Sequence, residues 1–140
     1  MWLGKVTMDD ARLAINAHHD AINKQDAENY LETVKFPFTY QNYNGVSITI
    51  ESADDYRANF DYPWSIIRRT EPSWSHSVMD NLEEVARSAS SVVYKFDASR
   101  INKAGDVDLQ IQAIWIAVLT NETWGVQFRH NLGIPVELAV

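Results

Sequence analysis

Two residues of this chain have the types and the predicted placement for acid or base chemistry, namely His18 and Asp80. A first helix, capped by Thr7 and running to Asn23, advances by about 100 degrees per residue and places His18 in the middle of its apolar face. A titratable ring on an apolar face needs a hydrogen-bond partner or a polar pocket. We therefore predict that His18 acts from a pocket as an acid or base; the alternative is a core histidine satisfied by one carboxylate or carbonyl.

Asp80 is the predicted partner of His18. It shares a face with Trp74 and Val78 on a strand that alternates at period two, and a buried carboxylate requires hydrogen-bond donors. The alternative is an aspartate in solvent near the end of its strand, because aspartates are rarely fully buried.

The remaining histidines are weaker candidates for the same pocket. His130 alternates with Phe128 on the last strand, and His76 shares the face of Trp74, so both are predicted at the pocket. An exposed position at the rim is the alternative for each. Arg100 and Arg129 are predicted on the solvated face of the sheet, paired with acidic residues, namely Asp97, Glu83 or Glu84.

Large aromatic side chains fall on inward-looking faces of the predicted elements. They are either core filler or the wall of a pocket for a small hydrophobic or aromatic molecule. The predicted pocket residues of this kind are Tyr30, Tyr40, Tyr56, Trp64, Trp115 and Phe128.

Composition narrows the possible partners. The chain has 140 residues, which predicts a single domain over 1–140, and its net charge of -7 argues against nucleic acid or an anionic membrane as a partner. It has no cysteine, no apolar stretch long enough to cross a bilayer and no signal-peptide pattern, so a soluble cytoplasmic protein without a cofactor is expected.

The elements follow the order helix, helix, hairpin, helix and then a meander of long strands. The strands are predicted at 74–86, 91–102 and 107–119, followed by a last strand from Trp124. This order predicts an α+β fold: a cone-shaped, curved antiparallel sheet with the N-terminal helices packed on its concave face, enclosing a pocket.

Residues 113–119 are apolar on both faces of their strand. If Trp115 faces the helices, then Ile114, Ile116 and Val118 face outward. A contiguous exposed apolar patch usually marks an interface, so we predict a homodimer formed through the sheet.

Four segments of the chain carry a family resemblance, namely 24–27, 38–45, Phe96 to Gly105 with Arg100 and Asn102 between them, and 124–129. In the order and spacing of these segments, the chain resembles the nuclear transport factor 2-like superfamily, in its SnoaL-like and ketosteroid isomerase-like branches. The resemblance covers nearly the whole chain and implies a cone-shaped α+β fold, a pocket and frequent homodimers, with functions from isomerase to binding module.

Two of the three catalytic parts that the resemblance implies, the two carboxylic acids, are missing from this sequence. Eight residues before Asp26, where these isomerases carry a tyrosine, stands His18. The position of their catalytic aspartate falls at residues 40–42, and that of their second acid falls near Trp115. Because neither region supplies a carboxylate, the steroid-type mechanism is not expected.

Three classes of function remain open from the sequence. One is a cofactor-independent lyase, isomerase or hydrolase that uses His18 with Asp80 on a small hydrophobic substrate. The others are a non-catalytic binder of small apolar molecules and a dimeric protein-interaction module.

We expect purified protein to contain no stoichiometric metal, because cysteine is absent and the histidine spacings match no ligand pattern. Elemental analysis should find zinc and iron far below one atom per chain. About one atom per chain, whose removal costs folding or binding, would contradict this expectation.

Overall fold

The computed structural model describes residues 8–136 and contains four helices and six strands over that range. The predicted cap Thr7 lies outside the described residues. The helices are α1 Met8–Lys24, α2 Ala27–Glu32, α3 Ala53–Asn59 and α4 Pro63–Thr70. The strands are β1 Val34–Asn42, β2 Ser47–Ile50, β3 Trp74–Arg87, β4 Ser91–Asn102, β5 Val107–Thr120 and β6 Thr123–Gly133.

Local signals account for the starts of the short helices. The Asp26 side chain accepts a hydrogen bond from the Asn29 amide at the start of α2, and Ser52 does the same for Asp55 at the start of α3. Pro63 occupies the first turn of α4, where its missing N–H costs nothing.

All six strands form one curved, unclosed sheet in the order β2-β1-β6-β5-β4-β3. The helices lie on its concave face, as predicted. The sheet is mixed rather than wholly antiparallel, because β1 pairs with β6 in parallel. The long stretch of chain between these two strands, which contains α3, α4 and the meander, permits this parallel pairing.

A β-bulge reverses the faces of β6 partway along the strand. Val126 pairs with Ala117 while Phe128 pairs with Ile116, so Gln127 is an extra residue in β6. Because side chains alternate at period two, one extra residue sends every later side chain to the opposite face. Arg129 therefore shares the inner face with its cross-strand partner Trp115.

The same bulge corrects two of the predicted pocket positions. Phe128 pairs with Ile116, and His130 pairs with Ile114, so both lie on the outer face of the sheet. The prediction that Phe128 and His130 lie at the pocket was wrong for this reason.

A second irregularity has the same effect on β3. Trp74 pairs with Asn102 and His76 pairs with Ile101, which makes Ser75 the extra residue. Trp74 is buried, and its indole N–H donates to the Ser77 hydroxyl on the inner face. His76, by contrast, is exposed, so the prediction that it shares the face of Trp74 was wrong.

Side chains from every long element meet in the core between the helices and the sheet. Its largest fully buried members include Trp74, Tyr30, Tyr56, Tyr94 and Phe38. No helix between residues 8 and 136 combines the length and apolar character that a bilayer crossing requires.

Candidate functional site

A cavity of about 110 Å³ lies between α1, α4 and the inner face of the sheet. Most of its wall is apolar, with a few polar side chains among the aliphatic and aromatic ones. The apolar lining consists of Ile22, Pro63, Ile66, Ile67, Phe96, Ala98, Ile111, Ala113 and Trp115. The polar lining consists of His19, Tyr40, Ser77, Arg100, Arg129 and Asn131.

A second cavity of about 410 Å³ adjoins the first, toward the start of β5 and the end of β6. The two cavities share wall residues, namely Tyr40, Ile66, Arg100, Ile111 and Asn131.

A chain of buried hydrogen bonds runs behind the first cavity. We call it the Arg129 network, and it comprises His18, Tyr30, Thr33, Tyr56 and Arg129. Its members come from α1, α2, the turn after α2, α3 and β6, so the network joins three helices to the sheet.

The donors in this network follow from its geometry. The Thr33 hydroxyl donates to the Tyr30 carbonyl oxygen over 2.6 Å, so Thr33 Oγ1 is an acceptor for the Nδ1–H of His18 at 2.7 Å. The Nε2 atom of His18 then carries a lone pair and accepts from Arg129 Nη1 at 2.9 Å. His18 is therefore a neutral imidazole with both nitrogens bonded.

The surroundings of His18 keep the ring neutral. It is fully buried, packed edge-on against Trp115 and tilted against Tyr30. Burial, followed by the positive charge of Arg129 and by His19, lowers the pKa of His18 well below its usual value of 6.5.

Arg129 also supports the tyrosines of the network. Its Nη1 donates a second hydrogen bond, 2.9 Å long, to the Tyr30 hydroxyl, which in turn lies 2.9 Å from the Tyr56 hydroxyl. Burial raises the pKa of Tyr30 well above 10, so this phenol stays protonated.

The charge of Arg129 is buried, with only 6 % of the residue exposed, and no described carboxylate forms an ion pair with it. The guanidinium carbon instead lies 5.0 Å from the centre of the Phe38 ring and 5.6 Å from those of Tyr30 and Tyr40. Each cation–π contact contributes about 0.5–2 kcal/mol, whereas burying an ion costs several kcal/mol. The rings therefore offset only part of the cost of burying this charge.

Arg100 provides the contrast within the same cavity wall. Its Nη1 lies 3.0 and 3.1 Å from the two carboxylate oxygens of Glu71, and both side chains are largely buried. The prediction that Arg100 and Arg129 pair with acidic residues on the solvated face of the sheet was wrong. Arg100 pairs with Glu71, and Arg129 lies on the inner face.

The structure does not bring the two predicted catalytic residues together. Asp80 is exposed on the outer side of β3, whereas the two ring nitrogens of His18 bond to Thr33 and Arg129. His18 is also not among the cavity-lining residues; Arg129 and Trp115, which contact it, line the cavity instead.

The predicted aromatic residues divide into three groups. Tyr40 and Trp115 line the cavity, while Tyr30 and Tyr56 are buried within the Arg129 network. Trp64 is half-buried and stacks on Tyr62 with ring centres 4.9 Å apart. Phe128, His130 and His76 lie away from the cavity, as described above.

Sequence reasoning missed His19 and Ser77 as cavity residues and Arg129 as a buried group. His19 lies at the edge of the apolar face of α1, so the amphipathic pattern of this helix indicated a half-buried ring. No signal in the sequence indicated the burial of Arg129, because the direction of this side chain depends on the bulge at Gln127. Within the described residues, no three His, Asp or Glu side chains cluster as metal ligands.

Comparisons with known proteins identify the fold. The chain is similar to a protein of unknown function with a cystatin-like fold from Nostoc punctiforme, at 13 % identity over 94 % of this chain and 93 % of that one, with a TM-score of 0.67. It is similar to an NTF2-like protein with a cystatin-like fold from Novosphingobium aromaticivorans, at 12 % identity over 88 % and 79 % of the chains, with a TM-score of 0.65.

A third similar structure is Aln2 from a Streptomyces species, at 9 % identity over 93 % of this chain and 94 % of that one, with a TM-score of 0.68. No protein-family model and no curated protein matches the sequence. The chain therefore has the cystatin-like, NTF2-like fold that the sequence resemblance implied.

The buried neutral His18 predicts a stability that depends on pH. Folded His18 resists protonation, whereas the unfolded chain takes up a proton near pH 6.5, so the free energy of unfolding should fall as pH drops below about 6.5. In His18→Gln, the unfolded chain takes up one proton fewer than in the parent. Between about pH 6.5 and 5, the free energy of unfolding of this variant should therefore change less steeply with pH, by up to about 1.4 kcal/mol per pH unit, as measured by urea unfolding.

His76→Gln is the matched control for this experiment, because His76 is exposed on β3. The free energy of unfolding of His76→Gln should change with pH nearly as steeply as that of the parent. Equal slopes for the parent and His18→Gln would contradict the assignment of a buried neutral ring.

Proposed function

We propose that the protein binds a small, largely apolar molecule in the cavity between α1, α4 and the sheet. The observation that carries this proposal is the wall of the cavity, in which aliphatic and aromatic side chains surround a few polar groups. Binding sites for small molecules have this composition, because apolar burial supplies affinity and a few polar groups supply orientation.

The size of the space supports the same conclusion. A volume of about 110 Å³ is many times what one water requires, and a cavity of about 410 Å³ adjoins it. A protein-interaction module would be expected to fill this space with side chains instead.

The bonding of His18 favours binding over acid–base catalysis by this residue. Both ring nitrogens are engaged, and a general base needs a free lone pair within reach of the substrate. Asp80 is exposed and supplies no second catalytic group to the cavity. A reaction driven by the His18 and Asp80 pair is therefore not part of the proposal.

Filling the cavity should abolish binding. Ala113 lies on the cavity wall, so Ala113→Leu adds three carbon atoms to the space that a ligand would occupy. We expect N-phenyl-1-naphthylamine, a neutral apolar dye, to fluoresce strongly with the parent protein and at least tenfold more weakly with Ala113→Leu. Titration with the dye checks this, and native mass spectrometry of fresh protein tests for a retained molecule.

Ala104→Leu is the control variant, because Ala104 lies in the exposed turn between β4 and β5. It should bind the dye as the parent does. Equal dye binding by Ala113→Leu, folded by circular dichroism, would place the dye elsewhere and contradict the proposal.

We further propose that two chains pair through the outer face of the sheet. Ile116 lies between Val93 on β4 and Phe128 on β6, which forms an apolar row across three strands. Ile114 and Val118 extend this row along β5. Burial of an apolar patch of a few hundred Å² at about 25 cal/mol per Å² stabilises a dimer by several kcal/mol.

A charge in this row should separate the chains. We expect the parent to sediment as a dimer and Ile116→Glu as a folded monomer, measured by analytical ultracentrifugation. Val107→Glu is the matched control, because Val107 is already 53 % exposed at the start of the same strand, and it should remain a dimer. A monomeric parent, or an Ile116→Glu variant that sediments as a dimer, would refute the interface.

A further inference from the structure

We propose that the molecule bound in the cavity is an apolar carboxylic acid whose carboxylate pairs with the guanidinium of Arg129. This inference rests on the proposed function and specifies the chemical class of its ligand.

Arg129 has hydrogen-bond donors that no residue between 8 and 136 uses. A guanidinium carries five N–H donors, and both hydrogens of Nη1 are used, one by His18 and one by Tyr30. The Nε and Nη2 atoms, with three hydrogens, donate to no residue in the described part of the chain. Arg129 lines the cavity, so these donors are available to a molecule bound there.

The two arginines of the cavity wall differ in how their charges are balanced. Arg100, the other arginine of the cavity wall, has Glu71 as its counter-ion, with Nη1 3.0 Å from a carboxylate oxygen. The groups bonded to Arg129 are a neutral imidazole and a phenol, which supply no negative charge. A ligand carboxylate would supply the counter-ion that residues 8–136 do not provide, and its two oxygens match the paired N–H groups of a guanidinium.

The apolar wall of the cavity indicates the character of the rest of the ligand. The wall beyond Arg129 is formed largely by side chains such as Ile22, Phe96, Ile111 and Trp115, which favour a hydrocarbon or aromatic body. Glu71 already neutralises Arg100, the second arginine of the wall. A ligand with one carboxylate is therefore favoured over a ligand with two.

The guanidinium of Arg129 is held rigidly by its neighbours. His18 and Tyr30 both hold Nη1, and Thr33 holds His18 through a bond of 2.7 Å. An arginine fixed in this way loses little conformational freedom when it binds an anion, so more of the interaction remains as affinity.

A matched pair of probes tests the proposal on the parent protein. The two probes are 3-phenylpropanoate and 3-phenylpropanamide, which have nearly the same shape and differ in charge. Isothermal titration calorimetry at neutral pH and low salt should give a dissociation constant at least tenfold lower for the acid. Equal affinities would overturn this proposal and leave the proposed function standing. Failure of both probes to bind would also overturn this proposal, and the dye titration described above would then decide whether the proposed function stands.

Arg129→Gln then tests the residue. This substitution removes the positive charge but keeps an N–H donor. The affinity for 3-phenylpropanoate should therefore fall at least tenfold, while the affinity for 3-phenylpropanamide changes by less than about threefold. Arg68→Gln is the control, because Arg68 bonds Gln25 and stacks on Trp74 without lining the cavity, and it should keep the preference for the acid. A folded Arg129→Gln variant with the parent's preference would overturn the proposal.

A spectroscopic measurement on the parent covers the case in which Arg129→Gln does not fold. The Nε–H resonance of Arg129 is assigned in labelled protein through its contacts with the Phe38 and Tyr40 rings, which flank the guanidinium. Saturation with 3-phenylpropanoate should shift this resonance strongly, and the amide should leave it nearly unchanged. An unchanged resonance at saturation with the acid would overturn the proposal.

Discussion

The buried guanidinium of Arg129 is the constraint on which the centre of this molecule depends. A cation removed from water must be surrounded by acceptors or rings, and the chain supplies His18, Tyr30 and the aromatic face of Phe38 for that purpose. These groups come from separate elements, so their hydrogen bonds also fix the position of α1 and α2 over the sheet. Thr33 adds a backbone link to the sheet, since its carbonyl oxygen accepts a hydrogen bond from the Val126 amide of β6 over 2.9 Å.

Two β-bulges decide which residues face the cavity. The extra residue at Gln127 turns Arg129 inward, and the extra residue at Ser75 turns His76 outward while Ser77 faces the cavity. Bulges next to functional sites commonly re-aim side chains in this way. Three of the polar residues of the cavity wall, Ser77, Arg129 and Asn131, therefore face the cavity because of breaks in the strand alternation.

The fold leaves the function open, and the site restricts it. Proteins with the cystatin-like, NTF2-like fold share the curved sheet and its covering helices, but a shared fold does not determine a ligand. In this chain a neutral His18 without a free nitrogen favours binding, and the two arginines of the wall differ in their counter-ions. That difference, rather than the number of titratable groups, supports the proposed preference of the cavity for a carboxylate.

The sequence by itself determined the features that depend on near neighbours along the chain. The caps at Asp26 and Ser52, the order of the elements and the burial of His18 follow from helical periodicity and local hydrogen bonds, which act within a few residues. Only the tertiary structure decided the partner of His18 and the exposure of Asp80. Both depend on where the strands accept an extra residue, because a bulge is set by pairing between strands and has no local signal.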